Sequence, residues 1–149
     1  MQYFAYTARI EPEAMAEVCP SASFAFIAHL PEWGLSFPLE GNGWNGSLPS
    51  ATPEPGSTVW GAVYTIEDPN EIGCLDDVES EEGRHRAEAE AIDRMGRRHT
   101  VVTHVAPTSG RAGTEPSPEY VGVMLRGSRH WSLPAGWIAG LEDALGTGF

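Results

Sequence analysis

Lysine is absent from this 149-residue chain: all 9 of its basic residues are arginine, set against 21 acidic ones. Without lysine there is no amine for a Schiff base and no cation for a P-loop. Positive charge as a whole is scarce, with a net charge of −12 and a pI near 4.7. The arginines are not massed into a stripe, so phosphate backbones and anionic lipid surfaces are repelled. Neither a nucleic acid nor a membrane surface is an expected partner. Long apolar runs are also missing. Stretches such as Phe24–Leu30 fall well short of the ~20 residues that a spanning helix needs. Met1-Gln2-Tyr3 offers no basic segment before an apolar one, as a secretion signal would, and a cytoplasmic location is expected. Cysteine is limited to Cys19 and Cys74, far apart and without CxxC spacing. Both read as small buried hydrophobes rather than a disulfide or a metal site.

Other chemistries lack their parts. No GxSxG elbow is present and neither cysteine has a histidine close by in sequence, which removes the usual acyl-enzyme nucleophiles. His99 and His104 lie on one predicted strand at an odd spacing and point to opposite faces, where metal ligands would have to converge. Gly41-Asn42-Gly43-Trp44-Asn45-Gly46 spells GxGxxG, but Ser47-Leu48-Pro49 follows where a phosphate-binding helix would begin. A turn-rich loop is expected there. No cofactor and no metal is called for.

What the chain does contain is a regular alternation of short elements. Tyr3-Phe4-Ala5-Tyr6 reads as a buried strand followed by a turn at Thr7-Ala8-Arg9, and Glu11–Val18 as a short helix with Pro12 in its first turn. Phe24–Ala28 and Leu35–Phe37 predict two further strands, and the Gly, Pro, Ser and Asn content from Pro38 to Ser57 predicts long turns. Thr58–Ile66 is the strongest strand signal. Asp68-Pro69-Asn70-Glu71 starts a helix that covers Ile72–Val78. Ala87–Asp93 and Arg98–Val105 flank Met95-Gly96-Arg97 as a hairpin, Ser117 caps a helix through His130, and Pro134–Leu145 forms the last. Strands early and two helices late describe an α+β domain around a small, closed or strongly curved sheet, with no linker that divides residues 1–149.

The remaining chemistry lies in carboxylates. Asp76, Asp77, Glu79, Glu81 and Glu82 crowd a helix C-terminus and the turn after it, where the macrodipole gives negative charge no support. Most of the five read as solvated, helped by Arg84 and Arg86. One of them turned inward would be desolvated beside like charges, which favours the protonated form and makes a usable acid or base.

The order of motifs carries more information than any one of them. Tyr3-Phe4-Ala5-Tyr6, Trp44-Asn45-Gly46, Pro55-Gly56-Ser57-Thr58-Val59-Trp60-Gly61-Ala62-Val63-Tyr64, Leu75-Asp76-Asp77-Val78-Glu79, Pro116-Ser117-Pro118-Glu119-Tyr120 and Gly127 with Leu133-Pro134 together resemble the γ-glutamylcyclotransferase-like family over nearly the whole chain. The resemblance implies a small mixed, closed β-barrel with peripheral helices. It also implies a cofactor-free reaction in which the α-amino group of a γ-glutamyl amine or amide attacks its own γ-carbonyl, releasing an amine and 5-oxoproline. By position, Glu79 matches the family's acid/base. Glu82, which precedes Gly83, is the second choice under a shifted alignment, because Ser80 stands where a glycine commonly follows the family's glutamate.

The substrate-holding turn departs from the family's Tyr-Gly-Ser-Asn and reads Tyr6-Thr7-Ala8-Arg9. Tyr6, Thr7, Ala8, Arg9 and Ile10, with His104 and Tyr120, are the expected substrate-binding residues. Arg9 either grips a carboxylate or other anion, or is a solvated turn arginine. Where the family tends to place tyrosines after the glutamate, this chain has His85 or Arg86 and then His104. The other reading is a family member without catalysis that binds a small anionic metabolite or a protein partner, since fold alone does not fix function. A monomer and a homodimer are both compatible with the sequence.

Overall fold

The computed structural model describes residues 1–41, 43–107 and 115–145, so Asn42 of the glycine-rich pattern lies outside the described residues. In chain order the elements are β1 (Gln2–Ala5), a single 3₁₀ turn (Ala8–Ile10), α1 (Pro12–Val18), β2 (Ser23–Glu40), β3 (Ser47–Thr65), α2 (Pro69–Glu82), β4 (His85–Asp93), β5 (Arg98–Val105), α3 (Pro118–His130) and α4 (Ala135–Ala144). The strands close into a barrel in the order β1-β3-β2-β4-β5. β1 closes it by pairing antiparallel with β3, Tyr3 opposite Tyr64, and parallel with β5, Tyr3 opposite Val102.

Strand alternation sorts the core into layers. Phe4, Leu30, Val59, Val63, Ala91 and Val101 form one cluster, contributed by all five strands. The intervening residues Tyr3, Ala5, Ala62 and Tyr64 pack instead with Ile10, Met15, Ile72 and Leu75 from the 3₁₀ turn, α1 and α2. A third cluster joins Ala8 and Leu48 to Tyr120, Val121 and Met124 of α3 and Leu141 of α4. Among the described residues no helix is long and apolar enough to cross a membrane.

The structure corrects the sequence reading in three places. Phe24–Ala28 and Leu35–Phe37 belong to one continuous strand, and the segment expected to be long turns is largely ladder, because β2 continues to Glu40 and β3 begins at Ser47. The prolines are tolerated because Pro31 and Pro38 fall at register shifts, where the ladder is already interrupted; Glu32, with φ of 67°, sits in the first of these gaps. Helix α2 runs on to Glu82, so all five clustered carboxylates lie within it rather than beyond it. Cys74 is exposed on α2, whereas Cys19 is buried as expected, and both are free thiols.

Helix α2 is the element that positions the site. Asp68 caps it by accepting from the Asn70 amide at 2.9 Å, and Pro69 sits in its first turn. Its buried residues are Ile72, Leu75 and Glu79. That spacing is an apolar stripe whose last place is taken by a carboxylate. Helix α3 crosses the 3₁₀ turn closely at Gly127, where an added Cβ would lie 2.6 Å from the Glu11 amide nitrogen and 2.7 Å from the Ile10 carbonyl carbon. Backbone cannot yield as a flexible side chain does. Gly127→Ala is therefore expected to destabilise the fold by about 1–3 kcal/mol in urea denaturation; an unchanged midpoint would show that the two backbones are less tightly apposed.

Candidate active site

Glu79 is completely buried, with 0% side-chain exposure. Its Oε1 accepts from Thr7 Oγ1 at 3.2 Å and its Oε2 from Arg84 Nη1 at 2.7 Å. The same Nη1 donates to Glu82 Oε1 at 2.5 Å, so one guanidinium nitrogen serves two carboxylates. Arg84 Nε donates to the Pro49 carbonyl at 2.8 Å and Nη2 to the Tyr120 hydroxyl at 3.3 Å. Tyr120 donates in turn to Glu82 Oε1 at 2.7 Å and accepts from the Ala8 amide at 3.3 Å. Trp44 meets the Tyr120 ring edge-on, with centroids 4.8 Å apart.

The turn at the end of α2 explains how a guanidinium comes to lie there. Gly83 ends the helix with φ of 103°, and the amides of Gly83 and Arg84 bond the carbonyls of Ser80 and Glu79 at 3.0 and 2.9 Å. The chain thus folds back under the last turn and places Arg84 beneath the carboxylates. Arg84 was expected to help compensate carboxylates that are mostly solvated; it does pair with two of them, but from a buried position, its side chain 0% exposed. The like-charged surroundings expected for an inward carboxylate are offset by this one cation. Burial works against the charge of Arg84, and Tyr120, Glu79, Tyr6 and Glu82 more than compensate, so its pKa is raised.

The structure brings together Glu79, Glu82, Thr7, Ala8 and Tyr120 from the sequence-predicted set. The others lie apart from this network. The Tyr6 hydroxyl donates to the His104 carbonyl at 2.7 Å and accepts from the Ala51 amide at 2.9 Å. Arg9 is buried and donates to the Ala14 carbonyl of α1 at 2.6 Å, while its Nε has no partner. Ile10 is core, and its carbonyl accepts from Tyr64 and Trp131. His104 bridges Tyr3 and Asp76, at 2.7 Å on each ring nitrogen. Arg86 also reaches Asp76, with Nε 3.1 Å from Oδ1 and a second bond from Nη2 to Oδ2. Arg86 first, and then His104, hold the Asp76 carboxyl below the usual carboxylate range against the opposing effect of burial. Among the described residues no group of three or more His, Cys, Asp and Glu side chains is placed to hold a metal ion.

Arg84 is the residue that sequence reasoning missed. The available signal was local: a helix ending in Glu82-Gly83-Arg84, in which glycine in the left-handed conformation reverses the chain and returns the next side chain toward the helix.

A profile of the AIG2-like family matches residues 58–141, a span that includes Glu79, Glu82, Arg84 and Tyr120. The chain is 30% identical over 138 residues to the γ-glutamylcyclotransferase of Mus musculus, covering 89% of this chain and 72% of that protein. It is 28% identical over 141 residues to the γ-glutamylcyclotransferase of Homo sapiens, with the same coverage. A solved γ-glutamyl cyclotransferase superposes with a TM-score of 0.87 at 23% identity, covering 95% of this chain and 86% of that one, which establishes the shared barrel.

Two outcomes follow from the geometry. Arg84→Met leaves two neighbouring carboxylates without their cation and is expected to cost about 3–5 kcal/mol. Arg84→Lys should recover little of this, because an ammonium cannot reach Pro49, the carboxylates and Tyr120 at once. Chemical denaturation measures both; a lysine variant as stable as the parent would show that the fork geometry is dispensable. The second concerns the four tyrosines, all buried. Burial foremost raises each phenol, Tyr64 to about 12 and Tyr3, Tyr6 and Tyr120 likewise upward from 10.0. A raised folded-state pKa gives stability that is complete below the unfolded value and lost as pH rises through the folded one. Stability should therefore fall above pH 10, with phenolate absorbance appearing in one cooperative step together with unfolding. Phenols titrating one by one in an intact fold would contradict this.

Proposed function

This chain belongs to the AIG2-like, γ-glutamylcyclotransferase-like family, and on that premise we propose that it is a cytoplasmic, cofactor-free cyclotransferase acting on a γ-glutamyl amine, amide or related small acyl-amide. The observation that carries the reading is the fully buried Glu79 carboxylate in contact with Thr7 of the turn after β1. In the reaction, the substrate's α-amino nitrogen bonds to its γ-carbonyl carbon, the bond from that carbon to the departing nitrogen breaks, and 5-oxoproline forms. Glu79 takes a proton from the attacking nitrogen and delivers one to the leaving nitrogen, so the carboxylate ends as it began. The protein's further contribution is to hold an open chain in its ring-closing geometry away from water.

The 3.2 Å bond from Thr7 is the longest that Glu79 makes and lies beyond the usual range for a hydroxyl donor. It is the contact that a substrate amine displaces. Arg84 stays on the other oxygen and is a positioning residue, fixing the carboxylate while Oε1 exchanges its proton. Thr7 and Ala8 of the turn after β1, with Tyr120, frame the bound acyl group, the Ala8 amide being tied to the Tyr120 hydroxyl. His104 supports the barrel wall behind them through its bonds to Tyr3 and Asp76.

A second reading is favoured by one specific observation: Glu79 already has partners on both oxygens and no exposed surface. On that reading the chain binds a small anionic metabolite or a protein partner without turnover. Incubating the protein with a panel of γ-glutamyl compounds and assaying 5-oxoproline separates the two. Turnover of any member is expected, with Glu79→Gln lowering kcat by about 10²-fold or more at an unchanged circular dichroism spectrum. A full rate in that variant removes Glu79 from the chemistry, and no product from any compound favours the binding protein.

A further inference from the structure

The two cysteines, unused by the proposed reaction, converge on one point of helix α2. Cys19 caps the end of α1, is completely buried, and donates its thiol to the Glu71 carbonyl at 3.5 Å. The Glu71 carboxylate accepts from the Ser21 amide at 3.0 Å and from the Ser21 hydroxyl, so segment 19–21 is held against α2 by both the backbone and the side chain of Glu71. Cys74 stands three residues further along the same helix. Positions three apart share a face, and a helical side chain is tilted back over the turn before it. For Cys74 that turn presents the Glu71 carbonyl, so both sulfurs lie about one backbone oxygen. Their charges are close enough to interact: burial first, then Glu71 and Cys74, push the Cys19 thiol up to about 11, with Arg9 acting in the opposite sense. Access separates the two, since Cys74 is exposed and Cys19 is not.

We propose that Cys19 and Cys74 are a peroxide-oxidisable dithiol pair, in which exposed Cys74 takes the oxidant and buried Cys19 closes a reversible disulfide between the end of α1 and helix α2. In the first step the Cys74 sulfur attacks one oxygen of hydrogen peroxide, the O–O bond breaks, and a sulfenic acid and one water result. In the second the Cys19 sulfur attacks that of Cys74, the S–O bond breaks, the S–S bond forms and a second water leaves. Two thiols have then lost two electrons and two protons, and one peroxide has been reduced to two waters. Arg9, whose Nε has no partner among the described residues, is the nearby cation as the Cys19 sulfur gives up its proton. The bridge ties α1, which follows the Thr7 turn, to the helix that carries Glu79. In a reducing compartment it returns to the dithiol by thiol exchange. The pair stands independently of the cyclotransferase reading.

The test oxidises the folded whole chain with hydrogen peroxide, then unfolds and alkylates it for measurement of its intact mass. With two cysteines in all, a bridge within one chain joins Cys19 to Cys74. The expected product is a monomer about 2 Da lighter than the reduced chain that takes up no alkyl group. Its melting midpoint should rise by ~5–10 °C, and dithiothreitol should reverse both changes. Cys19→Ala should leave Cys74 to gain one or more oxygens, about 16 Da each, whereas Cys74→Ser should leave Cys19 unoxidised and open to alkylation after unfolding. A dimer linked through Cys74, oxygen gained at Cys74 of the unaltered chain with Cys19 still alkylated, or no oxidation at all would overturn the inference. So would a bridge that fails to raise the midpoint, or oxidation of Cys19 in the Cys74→Ser chain. Should Cys19→Ala fail to fold, the mass and melting of the unaltered protein decide.

Discussion

One buried guanidinium holds the candidate site together. Arg84 reaches the Pro49 carbonyl on β3, two carboxylates on α2 and the Tyr120 hydroxyl on α3, so a single planar side chain ties three elements at one point. Removing a guanidinium from water costs several kcal/mol, and only close, directional partners offset that loss. Each of its three nitrogens has at least one here, and Nη1 has two. The arrangement constrains its neighbours as much as it satisfies them, because a fork with fixed angles fixes the positions of everything it touches. Thr7 and Ala8 then attach to the carboxylate and to Tyr120, bringing the turn after β1 to the same point.

Beside that point lies a second polar chain. Tyr3, His104, Asp76 and Arg86 form a continuous line from the buried face of β1 to the exposed side of α2. It runs beside the Glu79 network, and Asp76 and Glu79 are one helical turn apart. Helix α2 therefore presents two carboxylates with opposite surroundings: Asp76 is paired at the surface, and Glu79 is paired in the core. The same residue chemistry performs different work according to which face of the helix carries it.

Much of this could be read from residues alone. Asp68-Pro69 and Ser117-Pro118 mark helix starts because a capping oxygen and a preset φ act locally, and the structure has helices at both. The residues themselves leave open which of the five carboxylates turns inward, and only the family resemblance points to Glu79; in the structure Ile72, Leu75 and Glu79 share the buried stripe of α2. Two things were not legible. The segment 38–57 carries turn residues, yet β2 and β3 pair through much of it because each supplies the other's ladder and the prolines fall where bulges already break it; cross-strand partners are absent from a local reading. The burial of Arg84 was not legible for a related reason. Five acidic residues in a row of seven suggest a solvated face, and only the left-handed Gly83 turns the following side chain inward.

The topology also has a kinetic side. Thr7, Pro49, Glu79, Arg84 and Tyr120 are scattered from the first strand to the third helix, and the barrel is sealed only when β1 meets β5 across roughly a hundred residues. Loop closure precedes any reward from contacts this distant in sequence, so a chain sealed in this way folds more slowly than one of equal length built from local contacts. Because Thr7, Pro49 and Tyr120 reach the carboxylates and Arg84 from three other segments of the chain, the centre is complete only where those long-range contacts have been made.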